Sequence, residues 1–374
     1  MKLNGITWNH PRGYEPLLSS SLLYEKSFGV TVSWEKRSLT QFGDQSLAEL
    51  ASQFDLLIID HPHVGMAERT RSIIPMGQLL PKPSIEKWKS QSAGPCFSSY
   101  SYKGMQWAIP IDAAMQCSAY RPDLLGSMDV PKNWMEVFLL ADLLKKENLQ
   151  VGMALSPTDC LCSFLTLTAQ LGSPLIEGKE IMVSQDIGLQ ALEILRKMRD
   201  RFHPGCLDWN PIQLYDQMST QDDLAYSPLS FCYTNYSREG FCKNKLKFSN
   251  APGILHSLLG GTGIAISSAC KYLKEAAHYV EWICSSIIQS SIYLAEQGQP
   301  AHIDAWQSES SNQLTNYFFQ DTFDTLTNAY VRPRYSGWPK LQVYMGQVLH
   351  DYLKKDQDPE QLLNRLQEAY HQSY

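Results

Sequence analysis

Asp55-Leu56-Leu57-Ile58-Ile59-Asp60-His61-Pro62-His63 sets four aliphatic residues in an unbroken run and ends it with a polar, proline-containing turn. A run this short, bounded by breakers, reads as a strand buried on both faces, the kind a parallel sheet contains. Upstream, Leu47–Phe54 has helical spacing and Val30–Glu35 reads as another strand. Glu15–Phe28 carries Leu17, Leu18, Ser21, Leu22 and Tyr24 on a helical period and ends at Gly29. Lys2–Trp8 is a first strand, broken by Asn9-His10-Pro11-Arg12-Gly13. Strand and helix alternating in this way predict a parallel sheet with helices on its faces.

Further along, Gln106–Ile111 and Met115–Tyr120 read as two strands with Asp112 between them. Trp134–Lys146, Cys160–Leu171 and Gln185–Phe202 read as helices, and Val151–Leu155 as a strand. Short strands at Leu224–Tyr226 and Leu246–Ser249 flank an aromatic loop, and Gly261–Ser267 feeds a helix over Lys271–Ser286. The last 60 or so residues are helical, interrupted by Arg332-Pro333-Arg334-Tyr335-Ser336-Gly337. With 374 residues, no repeat and no low-complexity linker, two lobes interleaved in sequence are expected.

Composition narrows the partners. The chain is 44% apolar and 19% charged with net charge −6, ordinary for a globular protein. Its basic clusters, Glu35-Lys36-Arg37 and Lys243-Asn244-Lys245-Leu246-Lys247, are short, so nucleic acid is not an expected partner. No stretch near Met1 has the apolar core of a secretory signal, and no run is long enough to span a membrane. Nine irregularly spaced cysteines suggest reduced, buried thiols rather than a disulfide framework. As written the chain reads as cytoplasmic; a periplasmic or cell-surface place follows if Met1 stands in for a leader. P-loop, HExxH, GxSxG and paired CxxC motifs are all missing, and no cofactor or metal is expected. Gly260-Gly261-Thr262-Gly263 has Ile266 where a dinucleotide fingerprint needs glycine, so Gly261 reads as a hinge or a close backbone approach.

In α/β sheets ligands sit beyond the carboxyl ends of strands. That places Asp60, His61 and His63, and also Trp8, His10 and Arg12, at candidate positions. The former group reads as a hydrogen-bonding rim or a metal site; Trp8 reads as a stacking platform or a core residue. Cys160, near a helix start, is either an activated nucleophile or packed, and a neighbouring Asp159 cap would raise its pKa.

Several segments together resemble the bacterial extracellular solute-binding proteins of the maltose-binding-like branch, the receptor subunits of ABC importers. They are Gly260–Ser267 with Lys274-Glu275-Ala276-Ala277 and Val280-Glu281-Trp282-Ile283, and Ile109-Pro110-Ile111-Asp112 followed by Tyr120-Arg121-Pro122-Asp123-Leu124-Leu125. To these are added Pro131-Lys132-Asn133-Trp134-Met135-Glu136-Val137, Gln297-Gly298-Gln299-Pro300-Ala301 and Arg332-Pro333-Arg334-Tyr335. The resemblance implies a two-lobed α/β fold of the type II periplasmic-binding-protein kind. Lobe 1 would comprise 1–111 plus 264–312 and lobe 2 113–261 plus 314–374. Hinges would lie near 112, 262 and 313, closing on a ligand in the cleft.

It further implies a monomeric protein that binds a small polar solute, most simply a carbohydrate, and delivers it to an ABC permease. Expected ligand-binding residues are Trp8, His10, Arg12, Asp60, His61, Asp112, Gln116, Trp209, Tyr226, Asn235, Tyr236, Gly261, Arg334 and Trp338. Arg332 and Arg334 would suit a carboxylate if the solute is a small acid. The alternative is a cytoplasmic enzyme on the same fold, a thiaminase-like transferase or hydrolase, using Cys160 with Asp60 or Asp112. A sensor or scaffold role is the third possibility.

Overall fold

The computed structural model describes residues 1–44, 46–253, 256–355 and 357–374. In chain order its main elements are β1 (Lys2–Trp8), α1 (Pro11–Phe28), β2 (Thr31–Arg37), β3 (Leu56–Ile59), β4 (Ile109–Tyr120), α2 (Trp134–Lys146) and β5 (Gln150–Val151). Then come α3 (Pro157–Gln170), α4 (Gln185–Arg201), α5 (Pro211–Thr220), β6 (Leu224–Phe231), β7 (Lys247–Ser249) and β8 (Leu259–Ile266). The chain closes with α6 (Leu273–Ile283), α7 (Phe318–Thr327), α8 (Trp338–Lys354) and α9 (Pro359–Gln372). It divides into two compact units: 1–114, 260–311 and 334–339 form the first, and 115–259, 312–333 and 340–374 the second.

In the first unit β1 pairs in parallel with β2, from Lys2↔Thr31 to Trp8↔Arg37, and with β3 on its other side. β8 runs antiparallel along β3, with Gly263 opposite Ile59. The aliphatic run of β3 is buried on both faces, as its sequence requires. Leu56 and Ile58 pack with Leu3, Leu17, Trp34 and Tyr279, whereas Leu57 and Ile59 pack with Leu47, Leu50, Val64 and Trp107. α1 starts at Pro11 behind the His10 N-cap, and Gly29 at φ 70° ends it in the left-handed conformation that an unbranched Cα tolerates.

In the second unit β6 pairs antiparallel with the later half of β4, Gln116↔Phe231 to Tyr120↔Tyr226, and β5 lies parallel on β6. β7 also pairs with β4. α3 is buried along nearly its whole length.

Three details differ from the sequence expectation. The two strands expected on either side of Asp112 are one strand, β4, because a partner from α1 neutralises the Asp112 carboxylate and Pro300 bridges its backbone. The strand expected over Val151–Leu155 ends at Val151. Beyond it, Met153 N donates to Cys206 Sγ and Ala154 N to Ser230 Oγ, so side chains take the bonds a ladder would have made. Residues 334–339 pack with the first unit rather than with 314–333. There Gly65 lies so close to the Arg334 carbonyl that a Cβ would sit 1.9 Å from the oxygen, and only glycine fits.

Arg121, just past β4, holds the second unit's α5 from its C-terminal end. Its Nη1 donates to the carbonyls of Met218 (2.9 Å) and Gln221 (2.8 Å), and its other nitrogens to Asp123 and Asp222. Both aspartates are largely exposed, so screening leaves the carbonyl bonds as the main contribution. Arg121→Ala should lower the unfolding free energy by about 2 kcal/mol in denaturant titrations, with Arg121→Lys recovering only part because one ammonium cannot span the fork.

Candidate functional site

Because β1, β2 and β3 are parallel, Trp8, Arg37 and Ile59 end at one edge of the first unit's sheet. The segments that follow them carry the polar residues of interest. Asp112 lies on β4 in the same unit, and its side chain is fully buried. Arg12 Nε donates to Asp112 Oδ2 at 2.7 Å and Nη2 to Oδ1 at 2.5 Å, a bidentate pair closed off from water. Burial pushes the Asp112 pKa up, and the Arg12 guanidinium pulls against that shift. Backbone from two other segments closes on the same point. Ala113 N donates to Gln299 O, Gln299 Nε2 donates to Ala113 O, and Gly261, at φ 90°, approaches so closely that a Cβ would lie 2.3 Å from Asp112 O. Gly261 is thus a close-approach glycine.

His10 Nδ1 accepts from Arg12 N at 3.1 Å, capping α1. Burial, helped by the positive Arg12, drives its pKa down to about 3, so the imidazole is neutral at pH 7. Trp8 belongs to the core: its indole lies over the bare Cα of Gly13 and beside Phe42, and it is 4% exposed. Asp60 Oδ1 accepts from His61 N, which starts the turn His61–His63, and the buried His61 ring meets Tyr100 edge-on. Among the described residues no group of three or more His, Cys, Asp or Glu is arranged to hold a metal ion. Arg334 Nη1 donates to the carbonyls of Ser98, Ser99 and Ser101, tying down a short helix, and Trp338 is fully buried near Tyr335.

The second unit holds the remaining expected residues. Gln116 Oε1 accepts from Thr166 Oγ1 at 2.6 Å. Tyr226, fully buried, shares a hydrogen bond with Ser118, and Tyr236 donates to Asp216 Oδ1. Asn235 is buried in the turn Thr234–Ser237, which also carries Tyr236. Trp209 is half-buried and stacks on His203 with ring centroids 4.7 Å apart. Cys160 is buried, its Sγ 3.0 Å from the Leu155 carbonyl that accepts from it. Burial first, then Asp159, pushes this thiol well above its usual pKa, the opposite of what a nucleophile requires. Asp159 lies in the first turn of α3 and accepts from Ser156, the N-cap, and burial raises its pKa to about 7. None of the nine cysteines forms a disulfide; eight are buried and Cys242 is half-buried.

The structure thus brings Arg12, Asp112, His10 and Gly261 together, while Trp8, Tyr226, Tyr236, Gln116 and Arg334 are engaged in packing and internal hydrogen bonds. A surface cavity of about 460 Å³ in the first unit, lined by Gln78, Ile85, Lys89, Phe97 and Gln106 among others, contains none of the expected residues. One residue at the sheet edge was read only as part of a basic cluster. Arg37, 6% exposed, sends Nη2 across to Ile58 O at 2.9 Å, with its guanidinium 5.0 Å from the Phe42 ring centre.

This architecture is that of the binding-protein components of importers, and the chain belongs to the bacterial extracellular solute-binding protein family, whose model matches residues 23–313. The chain is similar over its full length to three solved structures. An ABC-transporter solute-binding protein from Agrobacterium radiobacter K84, in complex with ribitol, is 17% identical with TM-score 0.83, the match covering 100% of this chain and 98% of that one. One from Thermotoga lettingae TMO, bound with α-D-tagatose, is 17% identical with TM-score 0.83 over 100% and 99%. The maltose-bound MalE3 of T. maritima is 15% identical with TM-score 0.81 over 99% of each. By sequence, no curated protein matches the chain. No described helix is long and apolar enough to cross a membrane.

Removing one partner of the Arg12–Asp112 pair leaves a buried charge. Arg12→Ala should therefore cost about 3–5 kcal/mol in unfolding experiments, and Arg12→Met combined with Asp112→Leu should cost much less. His10 contributes a pH dependence. The unfolded chain takes a proton there as pH falls through 6.5, while the folded imidazole stays neutral down to about 3. Stability from this group is complete above pH 6.5 and is lost between 6.5 and 3. On moving from pH 7 to 5, His10→Asn, which keeps a capping oxygen, should lose about 2 kcal/mol less than the parent. Asp159, which titrates with the opposite sign, is common to both proteins and drops out of that difference.

Proposed function

We propose that the chain binds a small carbohydrate or polyol outside the cytoplasmic membrane and passes it to the permease of an ABC importer. The observation that carries this reading is the family match over 23–313 combined with full-length likeness to receptors solved with ribitol, tagatose and maltose. The sheet edge of the first unit supports it: His10 is a neutral hydrogen-bonding ring, and the partly exposed Asp60 carboxylate is an acceptor of the sort hydroxyl groups satisfy. In the second unit Trp209 provides a half-buried indole face of the kind that stacks on a sugar ring. Trp8 is left out of the proposed contacts because its indole fills the core.

The test is to incubate purified protein with a metabolite extract and follow each compound by mass spectrometry. One sugar or polyol should be retained at about one per chain and released unchanged on denaturation. Consumption of a metabolite far beyond the protein concentration would replace this reading with an enzymatic one. Asp60→Asn and Trp209→Ala should each weaken retention of that solute about tenfold or more while the chain stays folded; unchanged affinity in both would remove these contacts.

A further inference from the structure

Arg37 is the last residue of β2, in register with Trp8 at the end of β1, and its Nη2 reaches the Ile58 carbonyl on β3. The guanidinium therefore spans the carboxyl ends of three parallel strands, where an α/β sheet receives its ligand. It is more than nine-tenths buried, and its Nε has no hydrogen-bond partner.

Among the described residues no carboxylate pairs with it. Its interactions are the Ile58 carbonyl and the face of Phe42. Two other buried arginines are compensated by acids, Arg12 by Asp112 and Arg121 by Asp123 and Asp222. Burial lowers the Arg37 pKa to about 10, still well above neutrality, so the group remains charged in the folded protein. A cation kept out of water without a counter-ion is strongly disfavoured. One carbonyl bond and one ring face offset only part of that, and both leave the Nε donor open.

We propose that Arg37 recognises an anionic group of the solute, a carboxylate or a phosphate, so that the ligand is an acidic sugar rather than a neutral one. This rests on the carbohydrate-binding reading above and specifies its ligand class. An anion placed against Nε takes a charge-assisted hydrogen bond and supplies the missing counter-charge, while the sugar hydroxyls meet the neutral donors and acceptors of the same edge.

Calorimetric titration with galactose, galacturonate, glucose, glucose 6-phosphate and succinate, on the parent protein and on Arg37→Gln, decides it. At least one acidic sugar should bind about 10- to 100-fold tighter than its neutral parent. Arg37→Gln should abolish that preference while leaving the neutral sugar's affinity within about twofold. Whether uronate or phosphate is preferred then names the anion. Neutral sugars binding as tightly as the acids, or a preference that survives Arg37→Gln, would overturn this proposal and leave the carbohydrate reading standing. Succinate binding with no sugar bound would overturn the carbohydrate reading, and the acidic-sugar proposal with it. No binding of any probe overturns the acidic-sugar proposal for these two hexose series. If Arg37→Gln does not fold, Arg37→Lys serves instead. It keeps the charge but not the Nε donor, and an undiminished preference in it would also refute the role given to Arg37.

Discussion

A carboxylate inside a β-strand is the constraint around which the first unit is arranged. Asp112 lies on β4 two residues before the chain leaves that unit, and an unpaired charge there would cost several kcal/mol. Arg12, presented from the first turn of α1, removes the penalty with two short bonds. That turn exists because Pro11 suits a helix start and His10 caps it, so the cap and the ion pair depend on each other. Gln299 and Gly261 come from segments nearly 40 residues apart and close on the same two residues of β4. A methyl group on Gly261 would push against Asp112 O and misplace the carboxylate that Arg12 holds.

Much of this was legible in the sequence because it rests on local pattern. The run Leu56–Ile59 is apolar throughout, and its two faces do meet two separate core clusters. The helix at Trp134 begins where Asn133 and Glu136 form a cap, a signal that needs no tertiary knowledge. What local pattern misses is compensation from afar. Asp112 interrupts an apolar alternation, and nothing nearby reveals that Arg12, 100 residues earlier, makes it compatible with a strand. Gly65 is equally silent in the sequence, though its missing side chain is what admits the Arg334 carbonyl.

The expected binding residues divide along the same line. Trp and Tyr have one apolar and one polar end, so the same residue serves a wet ligand surface or a satisfied core. Tyr226 bonded to Ser118, Tyr236 bonded to Asp216 and Trp8 lying over Gly13 are the core outcome. Spacing along the chain does not separate the two, because what decides is whether an internal partner reaches the polar end. Trp209, half-buried on His203, retains an accessible ring.

Arg37 was missed for a related reason. Between Lys36 and Ser38 it reads as surface charge, and in the strand Glu35 and Lys36 are indeed exposed. Burial begins only at the strand end, where the side chain turns across β1 toward Ile58. The chain carries surplus acids, with net charge −6, yet among the described residues no carboxylate pairs with the Arg37 guanidinium at this edge: Asp112 is taken by Arg12, and Asp60 caps the turn at His61. The simplest physical reason is that the counter-charge belongs to the solute. It would then arrive and leave with each binding cycle, tying the stability of this edge to occupancy.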